Sequence, residues 1–290
     1  MKIGLYSMNF GTCADPDVAV EIAQHAEAAG FESVWTGEHV ALPRHPPEWF
    51  TMPSTLPFLD TVVAMTLLAA HTSTLKIGSG VLELPLHHPV RLAKQLASID
   101  HISHGRLVVG VGVGYLEPEF KAMGVDLSER SERMDEFIGA MRALWTMAEP
   151  EFHGRHVDVD GVDAHPRPVQ PGGPPVLIGG LSGLARRRAI RSANGWFAYN
   201  TTVEWTRDIL KVIADETEQI GRPAELGRLE LTIIPAGLFD RDVADQYAEL
   251  GVDRVIVLPR PDAPTDTPHV PVPVDEIRTT IDTISSQLDL

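Results

Sequence analysis

A chain of 290 residues with 43% hydrophobic content can bury one large core, and that length suits the roughly 250 residues of a single β/α barrel, so one domain over residues 1–290 is expected. The 24 basic and 40 acidic residues leave a net charge of −16, which disfavours nucleic acid and anionic membrane surfaces and points to small molecules as partners. Cys13 is the only cysteine, which excludes an intramolecular disulfide and fits a reducing cytoplasm; no apolar run approaches a membrane span, and Met1-Lys2-Ile3-Gly4-Leu5-Tyr6 reads as a strand, not a leader.

Strand-like runs lie near residues 2–7, 33–36, 75–79, 106–111, 176–178, 195–199, 229–236 and 253–258, each followed by a helical pattern. The first helix has Asp15 as N-cap, Pro16 at its first position, Val18, Ile22 and Ala26 on one face, and Gly30 as a left-handed stop. The same grammar returns near the end, with Asp240, then Val243, Tyr247 and Leu250, and Gly251 before the last strand. About eight such units predict an α/β fold of the (β/α)8 TIM barrel type rather than an open doubly wound sheet.

Two segments interrupt this rhythm. Residues 40–58 carry Pro43, Pro46, Pro47, Pro53 and Pro57 among Trp49, Phe50, Met52 and Phe58, a pattern that forbids a regular helix yet is too apolar for a solvated linker. It reads as a Pro-rich lid inserted after strand two, with Trp49 and Phe50 facing a substrate. Before strand five, Phe152 to Val159 reads as a small hairpin excursion. A further Pro-rich stretch, Pro259 to Pro273, follows the last strand and reads as a mobile loop or part of the rim.

In β/α barrels the chemistry sits at the C-terminal strand ends, and residues entering strands from below serve stability. Asp100, Ser103 and Arg106, in the turn entering strand four, are therefore expected to cap the turn and pair their charges. Glu38 and His39 follow Val34-Trp35-Thr36-Gly37 at the top of strand two, where a histidine can exchange a proton near neutrality or serve as a hydrogen-bonded structural group. Strand three ends in Gly78-Ser79-Gly80-Val81-Leu82, either a rim approaching a flat ring or a bulge that turns the chain. Of His87-His88-Pro89, His88 is placed to cap a helix, while His87 and Tyr115 are assigned to the substrate pocket.

Strand four runs into Gly110-Val111-Gly112-Val113-Gly114. A dinucleotide fingerprint needs a third glycine three places after the second, opening a helix, whereas the next helical pattern here starts near Ser128. The glycines are read instead as a bare rim. Strand five passes through Gly179-Gly180-Leu181-Ser182-Gly183 into a helix bearing Arg186-Arg187-Arg188, where amides and the positive helix end suit a phosphate; the alternative is a tight turn with a solvated basic face. No His–carboxylate metal set, Gly-x-Ser-x-Gly elbow or phosphate loop ending in Gly-Lys-Ser/Thr is apparent, so no metal is expected. Glu38, Glu83, Glu117 and Glu119 all fall in top-side loops, which leaves a carboxylate-pair glycosidase open, although glycine-rich strand ends favour a planar cofactor over a sugar.

The run Ala26-Glu27-Ala28-Ala29-Gly30-Phe31 through Gly37-Glu38-His39, His88-Pro89-Val90-Arg91-Leu92-Ala93-Lys94-Gln95, Gly105-Arg106-Leu107, the strand-four glycines, Leu144-Trp145, Arg167-Pro168-Val169-Gln170 and Ile178-Gly179-Gly180 resembles the bacterial luciferase-like monooxygenases. Within them, the compact length and the Glu-His-Val-Ala-Leu-Pro start of the lid look most like the branch that uses the deazaflavin coenzyme F420. The resemblance implies a deazaflavin across the strand tops, with Glu38 and His39 beside the reactive ring and His39 exchanging the proton. It implies a non-proline cis peptide at Gly80-Val81, a ring lined by Val113 and Gly114, and a phosphate held at Gly179, Gly180, Leu181 and Ser182. Tyr115 stands where sugar-phosphate-oxidising relatives have a glutamate. A homodimer and a reductase that supplies reduced cofactor are also implied.

The leading expectation is hydride transfer between F420 and a C=C, C=O or C=N bond of a small organic substrate, in either direction. The alternatives are an FMN-dependent monooxygenase using reduced flavin and oxygen, and a non-catalytic flavin- or deazaflavin-binding barrel. The Glu38-His39 pair and the aromatic lid argue against the last.

Overall fold

The computed structural model describes residues 1–259 and 270–290. Eight parallel strands form its centre: β1 (Lys2–Leu5), β2 (Ser33–Thr36), β3 (Lys76–Ser79), β4 (Leu107–Gly112), β5 (Val176–Gly179), β6 (Gly195–Thr201), β7 (Glu230–Pro235) and β8 (Arg254–Val257). Their order is β3-β2-β1-β8-β7-β6-β5-β4, and pairing of β3 with β4, Ile77 opposite Leu107, closes the barrel. All eight strand-like runs of the sequence are these strands. The helices are α1 (Pro16–Ala28), α2 (Thr61–His71), α3 (Pro89–Ile102), α4 (Arg130–Thr146), α5 (Gly183–Ser192), α6 (Val203–Ile220), α7 (Arg241–Glu249) and α8 (Val274–Leu288), one after each strand. None of the described helices is long and apolar enough to cross a membrane.

Local chemistry sets these boundaries. The Asp15 carboxylate accepts from the Asp17 and Val18 amides at the start of α1, and Gly30, at φ +87°, stops it. Asp240 caps α7 through the Val243 amide at 2.9 Å. His88 is an exception: it occupies the N-cap position of α3, but its side chain makes no capping bond, because Pro89 has already removed one orphan amide.

Two cores result. Apolar faces of the helices pack around the outside of the barrel, while Tyr6, Trp35, Val108, Leu177, Phe197, Ile234 and Ile256 fill its inside. Trp35 needs the bare backbone of Gly78, where an added β-carbon would lie 2.4 Å from the indole. Beneath Trp35 the Arg254 guanidinium, buried and 5.5 Å from the ring centroid, pairs with Glu32 and Glu230. This ion cluster plugs the N-terminal end of the barrel.

The turn entering β4 departs from the expected charge pairing. Asp100 accepts from the Val169 and Gln170 amides and from the Gln170 side chain, while Arg106 donates to the carbonyls of Ala69, Thr72, Leu75 and Ser103. The charges satisfy backbone groups that the loops would otherwise bury unpaired. A six-residue helix, Glu117–Ala122, also stands between β4 and α4, earlier than the helical pattern near Ser128 suggests. Six residues are too few to establish a helical period. Residues 40–58 contain no helix or strand and are joined to the segment after β1 by a bridge between Phe10 and Phe58. Before β5, Phe152–His153 pairs antiparallel with Asp158–Val159, which is the expected hairpin. Most of the Pro259 to Pro273 stretch falls on residues 260–269, outside the described residues.

Candidate active site

The top of β2 is anchored by Asn9, whose side-chain amide donates to the Gly37 carbonyl and accepts from the Gly37 amide, both at 2.9 Å. Beyond this clamp the two following side chains diverge. Glu38 turns inward, where its carboxylate accepts from the Glu83 amide and faces His87 Nε2 at 3.0 Å from both oxygens. Burial opposes a charged His87, but the Glu38 hydrogen bond and charge, with Asp60 further off, hold its pKa above the ordinary histidine value.

His39 turns toward the segment after β4. Its Nδ1 lies 3.1 Å from Glu119 Oε2 and its Nε2 3.3 Å from the Tyr115 hydroxyl. Phe50 and Phe58 meet the ring edge-on, with centroids at 5.6 and 5.9 Å, and Trp49 stacks obliquely on Tyr115 at 5.8 Å. Trp49 is 63% exposed and Tyr115 52%, so both line the open side, whereas Phe50 is buried. Burial raises the Tyr115 pKa, with Glu83 and Glu119 adding to it.

Behind the imidazole sit two carboxyl groups. Burial favours a neutral Glu119, yet His39 and the Val40 and Ala41 amides together hold its pKa below the ordinary carboxylate value. Glu83, buried, has an Oε2 without a hydrogen-bond partner among the described residues, and burial beside Glu119 and Glu38 pushes its pKa up to about 10. One nitrogen or oxygen each of His39, Glu83 and Glu119 lies within 4.8 Å of the others. His39, Glu83 and Glu119 therefore stand together at this end of the barrel. They come from three strand ends whose meeting only the closed barrel dictates.

The glycines have a different occupant from the one the sequence suggested. The Gly80-Val81 peptide is cis, and the Tyr6 hydroxyl donates to the Gly80 carbonyl. The Val81 side chain then enters the barrel, where β-carbons at Gly112 and Gly179 would each lie 2.7 Å from it. Gly112 is thus bare for Val81 rather than for a ligand. Gly114, at φ +72°, leaves room for Phe120, while Val113 is partly exposed beside it.

At the β5–α5 turn, Ser182 Oγ accepts from the Ala185 amide at 3.2 Å, and the Gly183 and Leu184 amides have no carbonyl four residues earlier within the helix. Arg186 and Arg187 share one carboxylate, Glu216, each at 3.2 Å, and their guanidiniums come within 3.6 and 3.0 Å of a β-carbon placed at Gly183. Arg188 points away to Asp135 and Ser131. Gly180 and Leu181 are exposed on this rim, and the end as a whole is positive.

Sequence reasoning named His39, Glu38, His87, Tyr115, Trp49 and Phe50, and the fold brings them to one end of the barrel. It missed Asn9 and Tyr6, and it read Glu83 and Glu119 only as top-side carboxylates. The Glu117-Pro118-Glu119 run directly after a glycine-rich strand is the signal that could have singled out Glu119.

Comparison with known proteins bears on this geometry. The profile of the family described as luciferase-like monooxygenase matches residues 1–258. An uncharacterized protein of Mycobacterium tuberculosis is 34% identical over 246 residues, 81% of this chain and 84% of that one. An FMNH2-dependent dimethylsulfone monooxygenase of Pseudomonas putida is 30% identical over 224 residues, 74% of this chain and 58% of that one. In fold, the coenzyme F420-dependent tetrahydromethanopterin reductase of Methanopyrus kandleri superposes with a TM-score of 0.72 at 16% identity, covering 98% of this chain and 97% of that one.

Proposed function

The chain belongs to the luciferase-like monooxygenase family, and from that premise we propose that it is an F420-dependent oxidoreductase acting on a small organic substrate. The observation that carries this reading is His39: an imidazole at the top of β2, backed by a buried carboxylate and with Nε2 against the half-exposed Tyr115 hydroxyl, is built to hold and move one proton. Hydride transfer to a C=C or C=O carbon leaves an anion that takes up this proton, and the reverse oxidation of an alcohol releases it.

The turn at Gly179, Gly180, Leu181 and Ser182 fits a cofactor phosphate, because two guanidiniums that share the Glu216 carboxylate stand at the N-terminal end of α5. Gly80, Val81, Val113 and Gly114 would line the ring. Bound there, the deazaflavin would supply a two-electron hydride couple. Residues 40–58 act as a lid that excludes water, with Phe50 closing over His39 and Trp49 over Tyr115. His39 Nε2 is the atom that exchanges the proton, and Tyr115 is the hydroxyl that a bound substrate would displace from it.

A second reading, an FMN-dependent monooxygenase fed by a reductase, is favoured by the 30% identity to the FMNH2-dependent dimethylsulfone monooxygenase. Equilibrium titration with F420 and with FMN, followed by oxygen consumption in the presence of each reduced cofactor, separates the two. Preferential F420 binding without oxygen uptake is expected. Preferential FMN binding with oxygen uptake would overturn the F420 assignment, and tight binding with no turnover on a broad substrate panel would favour a non-catalytic barrel.

A further inference from the structure

We propose that Glu119 is a positioning residue for His39: paired with a protonated Glu83, its carboxylate fixes the imidazole with the proton on Nδ1 and leaves Nε2 as a free base toward the barrel mouth. This rests on reading His39 as the proton carrier, but it concerns a state of the resting protein that is observable without turnover.

The geometry leaves little choice of donor. Glu119 Oε1 is occupied by the Val40 and Ala41 amides, so Oε2 alone faces His39 Nδ1, at 3.1 Å. An ionised carboxylate only accepts, which makes Nδ1 the donor and Nε2 the acceptor of a proton from Tyr115 or a substrate hydroxyl. The buried Glu83 carboxyl faces the same Glu119 group. Two carboxylates this close and this buried do not both ionise. Two amides and the imidazole stabilise charge on Glu119, whereas Glu83 Oε2 meets no donor among the described residues, so the shared proton resides on Glu83. The other ionisable groups around the cluster are Glu38 with its partner His87, and Tyr115. Once Nε2 takes a proton, the Glu119 charge stabilises the resulting imidazolium, as a carboxylate behind a catalytic histidine does.

Histidine-labelled protein, with the His39 signals assigned through His39→Asn, tests this by ¹⁵N NMR at about pH 8.5, where an ordinary histidine is neutral. Wild type is expected to show a protonated Nδ1 and an unprotonated Nε2. In Glu119→Gln the side-chain oxygen must stay on the Val40 and Ala41 amides, so the NH2 group faces Nδ1 and the tautomer switches to Nε2–H. Glu83→Gln replaces a neutral acid by a neutral amide and is expected to keep the wild-type tautomer. An Nε2–H wild type, an unswitched Glu119→Gln, or a switch in Glu83→Gln would each overturn the proposal. The wild-type spectrum decides even if Glu119→Gln fails to fold. Should His39→Ala leave turnover unchanged, the proton-carrier reading falls while the tautomer result stands by itself.

Discussion

A β-carbon at position 112 would lie 2.7 Å from the Cγ2 atom of Val81, so Gly112 and Val81 are complementary halves of one packing contact inside the barrel. Gly112→Ala is therefore expected to overpack the site and lower unfolding stability by about 1–3 kcal/mol. Trimming the partner with Val81→Ala in the same chain should recover part of that loss. Urea denaturation of both single variants and the double variant measures the coupling; strict additivity would refute the contact as the cause.

Removing the imidazole tests the proposed chemistry. His39→Ala is expected to lower turnover by about 10²- to 10⁴-fold, the usual range for a positioned acid or base, while cofactor affinity stays near wild type. Steady-state kinetics together with a cofactor titration check this, and full activity with a verified substrate would sink the assigned role.

Glu83 makes stability depend on pH. Its pKa rises from 4.5 to about 10 in the folded protein, so between those values the native state holds a proton that the unfolded chain has released. Its contribution is complete below the unfolded value and is lost as pH climbs toward the folded one, by at most about 1.4 kcal/mol per pH unit. Glu83→Gln, which cannot titrate, should gain stability relative to wild type as pH rises from 5 to 9. A difference that stays flat across chemical denaturation at several pH values would contradict a buried neutral acid.

Glu216 moderates the positive end of α5 by sharing its carboxylate between Arg186 and Arg187. Glu216→Gln is expected to tighten binding of a phosphate-bearing cofactor roughly 2- to 5-fold at low salt, with the gain shrinking as salt is added. Fluorescence titrations at two ionic strengths measure it. Unchanged or weaker affinity at low salt would place the phosphate elsewhere.

The parts of the fold that were legible are those whose cause is local. Asp15, Pro16 and Gly30 carry the start and stop of α1 within a few residues of where they act, and the eight strands announce themselves by apolar runs between helical patterns. His39 was legible as a candidate because its place after β2 puts it at the top of any β/α barrel. Its partner was not. Glu119 lies 80 positions further along, in a six-residue helix whose position depends on β4 closing against β3. Arg106 misled for a related reason: a charge in a turn suggests an ion pair, yet it met carbonyls brought from α2 and the loop after it.

By itself the sequence determined the barrel, because alternating periods and terminal caps are local consequences of backbone sterics and hydrophobic burial. It also placed the Glu38–His39 pair after the second strand, and hence at the C-terminal end of the barrel. Tertiary structure alone decided what each group does there. Glycine has no side chain to declare its neighbour, so only closure of the barrel shows that Gly112 and Gly179 make room for Val81, and only the convergence of three strand ends sets the Glu83 and Glu119 carboxyls behind His39.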